Sequence, residues 1–360
     1  MVMYLNQTCY IKWQQTYSDS FAVTNGTRQE GVFSPRGGFA TYLDPLLRSL
    51  RASGYGCKVA GHWLGGLALA DDVMLLSPSV QGLQELVTIC EKHVKETDLV
   101  FSTDKETPEK SKTMCIAFMC KDKERLASIR LNGDPLPWKE TVNHLGTTLT
   151  NTCSSGSDVM EKRAKFISNV YNLNQEFSFA PPETRLRLCH LYNTSFYGSN
   201  CWTFSSSEVE RFSKTWNVNN RIIFYLPRET HCWIVEELTG GRHFLQMIYN
   251  RFISYISMIR KNTRPAIRAL YSISANDVRT TTGSNIRKIQ MHTGIDPRDA
   301  CKNSLSGWRV YSPSDSWTVP LLSSLLHLRS EAWVVNFDPE EDEVLGDSEI
   351  EFMIEAVCTG

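Results

Sequence analysis

The sequence predicts an α+β protein in which short strands come first and helices follow. Up to about residue 150, apolar residues fall in short runs bounded by Gly, Pro, Asn or Asp, the pattern of strands and turns. From Ser157 onward they recur at helical spacing instead. Within the first region a dyad of acids, Asp71-Asp72, interrupts two apolar runs, Leu67 to Ala70 and Val73 to Leu76.

In order, residues 8–14 and 20–24 are β-prone runs joined by Gln15 to Asp19 as a hairpin, and Asn25-Gly26 turns the chain. Gly31 to Pro35 forms a second bend. Ser34-Pro35 can open a helix with proline in its first turn, placing Phe39, Tyr42, Leu43, Leu46, Leu47 and Leu50 on one side. Pro45 falls inside that helix, at a cost of about 3 kcal/mol or a kink. Gly65-Gly66 and Pro78 bracket a hairpin with Asp71 and Asp72 at its tip. Ser79 then caps a helix running to about Thr97, with Val80, Leu83, Leu86, Val87, Cys90 and Val94 at helical spacing. Asp104 to Ser111 loops out, and Met114 to Phe118 is a strand. Asn132-Gly133-Asp134 turns a hairpin within Ile129 to Trp138, and Thr141 to Leu149 is a further strand. Helices are predicted over 157–177, 183–196, 206–224, 243–260 and 264–275. Residues 297–360 form an appended piece, with a small helix over Trp317 to Leu328 and a solvated acidic tail.

Composition bounds the rest. The 360 residues are 41% hydrophobic and 21% charged, as in a globular chain, and no run approaches the roughly 18 apolar residues of a membrane span. No basic segment followed by an apolar core opens the chain, so secretion is not expected. Eleven cysteines without CxxC pairs suit reduced thiols, in cytosol or nucleus. Cys189-His190 and His231-Cys232 have no partners at metal-ligand spacing. The net charge of −1 hides a partition. Residues 160–300 hold 19 Lys and Arg against 11 Asp and Glu, while Asp338 to Glu355 holds nine acids and no base. The basic region suits a nucleic-acid groove or a solvated surface.

Two adjacent carboxylates without a neighbouring cation suit a hard ion. Mg²⁺ binds through one or two carboxylates plus substrate phosphates, the arrangement that two-metal phosphoryl transfer uses. A polar turn is the plainer alternative, since Asp is common in turns.

The surroundings of the dyad resemble the reverse transcriptases of non-LTR (LINE-type) retrotransposons. The resemblance rests on motifs in order: Asn25-Gly26-Thr27-Arg28-Gln29-Glu30-Gly31-Val32-Phe33-Ser34-Pro35, Leu43-Asp44, Gly56-Cys57-Lys58-Val59, then Leu69-Ala70-Asp71-Asp72. It continues through Gly82-Leu83-Gln84-Glu85-Leu86, Lys110-Ser111-Lys112-Thr113-Met114 and Asn143-His144-Leu145-Gly146. It implies a partial polymerase palm over 1–150, an antiparallel sheet with packing helices. An α-helical thumb over 151–296 and a C-terminal extension over 297–360 would follow.

By the same resemblance, Asp71 and Asp72 would ligate Mg²⁺. Arg28, Gln29, Gly31, Ser34 and Pro35 would shape the pocket for the incoming dNTP and the template base. Lys112 would stand near the pyrophosphate leaving group, with Lys105 and Lys110 as alternatives. Arg163, Lys165, Arg185 and Arg187 of the thumb would hold an RNA template and DNA primer by their backbones. Tyr192, Phe196, Tyr197, Trp202, Phe212 and Trp216 read as core, and His144 as a packing residue.

Three positions depart from the family pattern. Glu30 replaces a Gly beside Arg28-Gln29, Gly37-Gly38 follow the Ser-Pro where large apolar residues are usual, and Pro45 stands where a second Asp is usual. The family's third catalytic Asp lies in an aromatic-Asp motif well upstream of the Arg-Gln-Gly turn, and this chain begins too late to contain it. The expectation is an incomplete polymerase, inactive alone, or a non-catalytic nucleic-acid-binding or interaction remnant.

Overall fold

The computed structural model describes residues 7–23, 39–97, 100–103, 111–121 and 126–300, with Leu305, Trp308 and Val310. The chain divides into two compact units, one of Met1–Cys115 with Lys121–Trp138 and one of Ile116–Cys120 with Lys139–Gly360. Short antiparallel strands and helices share the first, and helices dominate the second, so the α+β reading holds at that level.

In the first unit, β1 (Gln7–Cys9) pairs with β4 (Phe21–Val23), and inside that ladder β2 (Lys12–Trp13) pairs with β3 (Thr16–Tyr17). The turn falls at Gln14-Gln15, with Gln14 at φ +53°, and not at Gln15 to Asp19. A two-residue loop matches strand twist better than the longer loop expected. The Asn25-Gly26 turn and the Gly31 to Pro35 bend lie outside the described residues.

Helix α1 (Phe39–Ala52) continues past Pro45 without ending there. Leu46 and Leu50 are fully buried, and Leu43 and Leu47 pack beside them against Leu86 and Cys90. Burying two leucines contributes about 3–6 kcal/mol, enough to offset the proline.

Strands β5 (Lys58–Val59) and β6 (His62–Trp63) turn at Ala60-Gly61, and β7 (Gly66–Leu69) and β8 (Asp72–Leu75) follow. Cys57 ties the two hairpins together: its N–H donates to Leu76 O at 2.9 Å, and its carbonyl accepts from Leu64 N–H at 2.8 Å. Gly56 and Gly65 touch backbone to backbone there. A Cβ on Gly65 would lie 2.8 Å from Gly56 Cα and 2.8 Å from the Trp63 ring.

Helix α2 (Val80–Glu96) begins as its sequence dictates, with the Ser79 hydroxyl accepting from Gly82 N–H at 3.1 Å. It buries Leu86, Val87 and Cys90. Burial pushes the Cys90 thiol up to about 12, which makes it an unreactive packing group. Strand β9 (Cys115–Ile116) pairs with β12 (Trp138–Lys139), and β10 (Arg130–Leu131) pairs with β11 (Asp134–Pro135). The β10–β11 turn is Asn132-Gly133, both at positive φ as a type I′ turn requires. Gln84 of α2 seals the β10 edge, donating to Arg130 O at 2.9 Å and accepting from Arg130 N–H at 2.8 Å.

Among the described residues every ladder has two strands, so the continuous sheet expected for residues 1–150 is not assembled from them. The strands are two to four residues long, and five of the seven ladders close across a tight turn of their own. None is long enough to recruit a third strand into register.

In the second unit, Thr141 to Leu149 is not one strand but a hairpin. Strands β13 (Thr141–His144) and β14 (Thr147–Thr150) turn at Leu145-Gly146, with φ +50° and +69°. Helices α3 (Gly156–Glu176), α4 (Pro182–Tyr192), α5 (Ser207–Ile223), α6 (Cys232–Leu238), α7 (Phe244–Arg260), α8 (Pro265–Asn276) and α9 (Thr281–Thr293) follow, with a 3₁₀ turn at Ser199–Cys201. α4 stops at Tyr192, short of the expected 196, because Phe196 takes φ +38° and Gly198 φ +81°. α6 and α9 were not expected.

Phe196, Trp202, Phe212 and Trp216 are core as expected, with Phe212 stacked on Phe244 at 4.3 Å. Tyr192 and Tyr197, grouped with them, are exposed. The Trp317 to Leu328 stretch and the acidic tail lie outside the described residues. No described helix is long and apolar enough to cross a membrane.

Two histidines of this unit are held neutral. Burial, then the Arg242 charge, lowers His190 to about 4, and its ring stacks on Trp216 at 5.6 Å. Burial lowers His243 to about 3. The unfolded chain takes up these protons first, so stability is full above the ordinary histidine value and is lost as pH falls toward 4. His190→Gln should therefore flatten the loss measured by urea unfolding between pH 6.5 and 4 by about 1–3 kcal/mol. Gly65→Ala should lower stability at pH 7 by about 1–3 kcal/mol in the same measurement, since backbone must move to admit the Cβ.

Candidate functional site

The acidic hairpin is built from β7 and β8. Gly66 pairs with Leu75, Leu67 with Met74, Ala68 with Val73 and Leu69 with Asp72, leaving Ala70-Asp71 as a two-residue turn. Ala70 sits at φ +51°, a left-handed conformation that costs a residue with a Cβ about 1–2 kcal/mol.

Directly paired residues share a face, which sorts the hairpin into two sides. Gly66, Ala68, Val73 and Leu75 form one side. A Cβ on Gly66 would point at Trp63, Leu50 and Leu47, and Leu75 packs against the clusters of α1 and α2. Leu67, Leu69, Asp72 and Met74 form the other side, where Leu67 is 47% and Leu69 61% exposed. Asp71 and Asp72 are both exposed at the apex. No hydrogen bond or ion pair joins either side chain to another described residue.

Two exposed carboxylates beside an apolar strand face supply hard oxygen donors, the ligand type that Mg²⁺ takes together with water or phosphate oxygens. They do not by themselves make a two-metal cage. No group of three His, Cys, Asp or Glu that could hold a metal occurs among the described residues. Asp44 of the Leu43-Asp44 motif is paired with Arg48 at 2.6 Å.

Lys112 is exposed just before β9, and no ion pair or hydrogen bond links it to Asp71 or Asp72. Lys105 and Lys110, and the pocket residues Arg28, Gln29, Gly31, Ser34 and Pro35, lie outside the described residues.

The four basic candidates of the second unit separate into two kinds. Arg185 is only 1% exposed: it donates to Ile223 O at 2.9 Å and to Asn174 Oδ1 at 3.2 Å, and it stacks on Tyr225 at 4.4 Å. Arg163 is half-buried and donates from Nε to Thr215 Oγ1 at 2.6 Å. Both arginines pin α5 to its neighbours, and Arg185 is closed to phosphate. Their helical positions face inward, which residue type alone does not disclose. Lys165 and Arg187 are exposed and free to meet a polyanion.

A stretch that residue-by-residue matching passed over is 238–276, with six Lys and Arg and no Asp or Glu. Counting acids, and not only bases, would have found it.

Were RNA held by this unit as the resemblance implies, Lys165→Glu and Arg187→Glu should each weaken its binding and lower the slope of log affinity against log salt by about 1 in a fluorescence titration. Arg185→Ala should instead cost about 2–4 kcal/mol of stability in urea unfolding, because it strands the Ile223 carbonyl and removes a packed side chain.

Compared with known proteins, the chain matches no protein-family model and no curated protein.

Proposed function

We propose that this chain is a reverse-transcriptase-like protein of the non-LTR retrotransposon type. Its Asp71–Asp72 hairpin would hold a divalent cation against nucleotide phosphates, and its helical unit would hold a template–primer duplex by the backbone. The observation that carries the reading is the two-residue turn at Ala70-Asp71, which presents both carboxylates to solvent at the end of an apolar strand pair. A motif series in the order seen in that family supports it.

The metal would supply charge neutralisation at the phosphates. The chain's own contribution is to orient two acceptors rigidly through β7 and β8, backed by Leu75 in the core of the first unit. Among the described residues no third carboxylate joins the pair, so the dyad by itself would hold a cation and not complete a two-metal cage.

A second reading, nucleic-acid binding without synthesis, is favoured by the 19-to-11 excess of basic residues over 160–300. Primer extension on an RNA template and Mn²⁺ titration followed by NMR separate the two. Mn²⁺ should broaden the amides of residues 70–73 selectively, and Asp71→Asn with Asp72→Asn should abolish that broadening with no loss of RNA affinity. Uniform or absent broadening would remove the metal role and leave binding alone.

A further inference from the structure

Of the six Lys and Arg in the acid-free stretch 238–276, four stand at the corner between α7 and α8. α7 ends on Arg260 with Lys261 at its C-cap, and α8 begins after Arg264 at its N-cap and carries Arg268 one turn on. All four side chains are exposed. Cations at the end of α7 complement the helix dipole, but cations at the start of α8 oppose it, and the first turn of α8 has no acid. The fold itself therefore gains nothing from Arg264 and Arg268.

Of the carboxylates that follow in sequence, Asp277 and Asp296 are already committed, and Asp299 adds a charge beside Arg298. Asp277 is bonded to Arg279 at 2.9 Å and Asp296 to Arg298 at 2.6 Å, with Arg260 adding only a further charge near Asp296. The shared surface is basic; exposed Met258 lies two residues from Arg260, and Leu270 and Ile273 lie two and five from Arg268, on other faces of the two helices.

The same chain carries a segment of the opposite kind. Asp338 to Glu355 holds nine acids and no base, and Val344, Leu345, Ile350, Phe352, Met353 and Ile354 lie among them. The chain leaves the described residues beside α6 and α7: Val310 N–H donates to Glu236 Oε1 at 3.0 Å, and Gln246 Nε2 donates to Leu305 O and Trp308 O. From Gln246 to Arg260 along α7 is about 21 Å. Twenty-seven residues lie between Val310 and Asp338, and taken as coil they would span about 30 Å, enough to bridge that distance and to hold the acidic run at about millimolar local concentration.

We propose that the acidic run Asp338 to Glu355 is the occupant of the α7–α8 corner. It would be held there within one chain by charge pairing with Arg260, Lys261, Arg264 and Arg268, and would screen this surface from other polyanions. The competition with nucleic acid rests on the function proposed above, but the contact itself does not.

Zero-length carbodiimide cross-linking of the full chain tests the contact directly, because Lys261 is an amine within it. Peptide mapping should find amide links from Lys261 to carboxylates of 338–355, formed within single chains when ¹⁴N and ¹⁵N copies are mixed. Arg264→Glu with Arg268→Glu should cut the Lys261 link yield about threefold or more, as should about 0.5 M salt. Neutralising Glu340, Glu341, Asp342 and Glu343 to Gln or Asn should raise affinity for a uridylate 20-mer about fivefold near 0.15 M salt.

Links from Lys261 only between copies would assign the corner to a second molecule, and links from Lys261 to no tail carboxylate would overturn the proposal. RNA binding with those links absent would sink this contact alone. The links without RNA binding by either chain would instead sink the nucleic-acid reading.

Discussion

The helical unit is arranged around one buried carboxylate. Asp158, in the first turn of α3, is 1% exposed and accepts from Trp202 Nε1 at 2.6 Å, from Thr148 N–H at 3.0 Å and from Lys162 Nζ at 3.2 Å. One side chain thus fixes the β13–β14 hairpin, the start of α3 and the Trp202 segment with respect to each other. Losing one partner of such a buried group leaves the others unpaired in low dielectric, at about 3–5 kcal/mol. Asn285 of α9 extends the same logic, accepting from Phe204 N–H and donating to Trp202 O, so the last described helix closes on the same tryptophan.

The acidic hairpin depends on a different constraint, close backbone approach. Gly56 against Gly65, with the Trp63 indole donating to Tyr55 O, lets the two hairpins share Cys57. The dyad at the apex can therefore be aimed by a scaffold only a few residues wide. In the helical unit, charge is used twice. Arg163 and Arg185 spend theirs inside the fold, while Lys165, Arg187 and the α7–α8 corner present theirs outward.

Much of this was legible in the residues. Ser79 and the apolar spacing after it gave α2 to within a residue at each end, because capping chemistry and helical period agree there. The Asn132-Gly133 turn and the Asp71–Asp72 hairpin were legible because their strands are bounded by turn-formers. Leu145-Gly146 was not, since leucine at positive φ contradicts its own propensity and only the Gly beside it hints at a turn. α9 was hidden by its polar start, Thr280 to Asn285, although the Thr280 hydroxyl caps it through Gly283 N–H. The inward arginines were hidden for a more general reason: guanidinium is equally suited to a carbonyl in a core and to a phosphate in a groove.

The outer side of the acidic hairpin, with Leu67 and Leu69 open to water, and the N-terminal ribbon with Trp13 76% exposed, bear on how the protein behaves in a tube. Short ladders with free edges and uncovered leucines and aromatics are templates for self-association. Recovery on refolding should fall with protein concentration, and mild detergents or arginine in the buffer should help more than a change of salt.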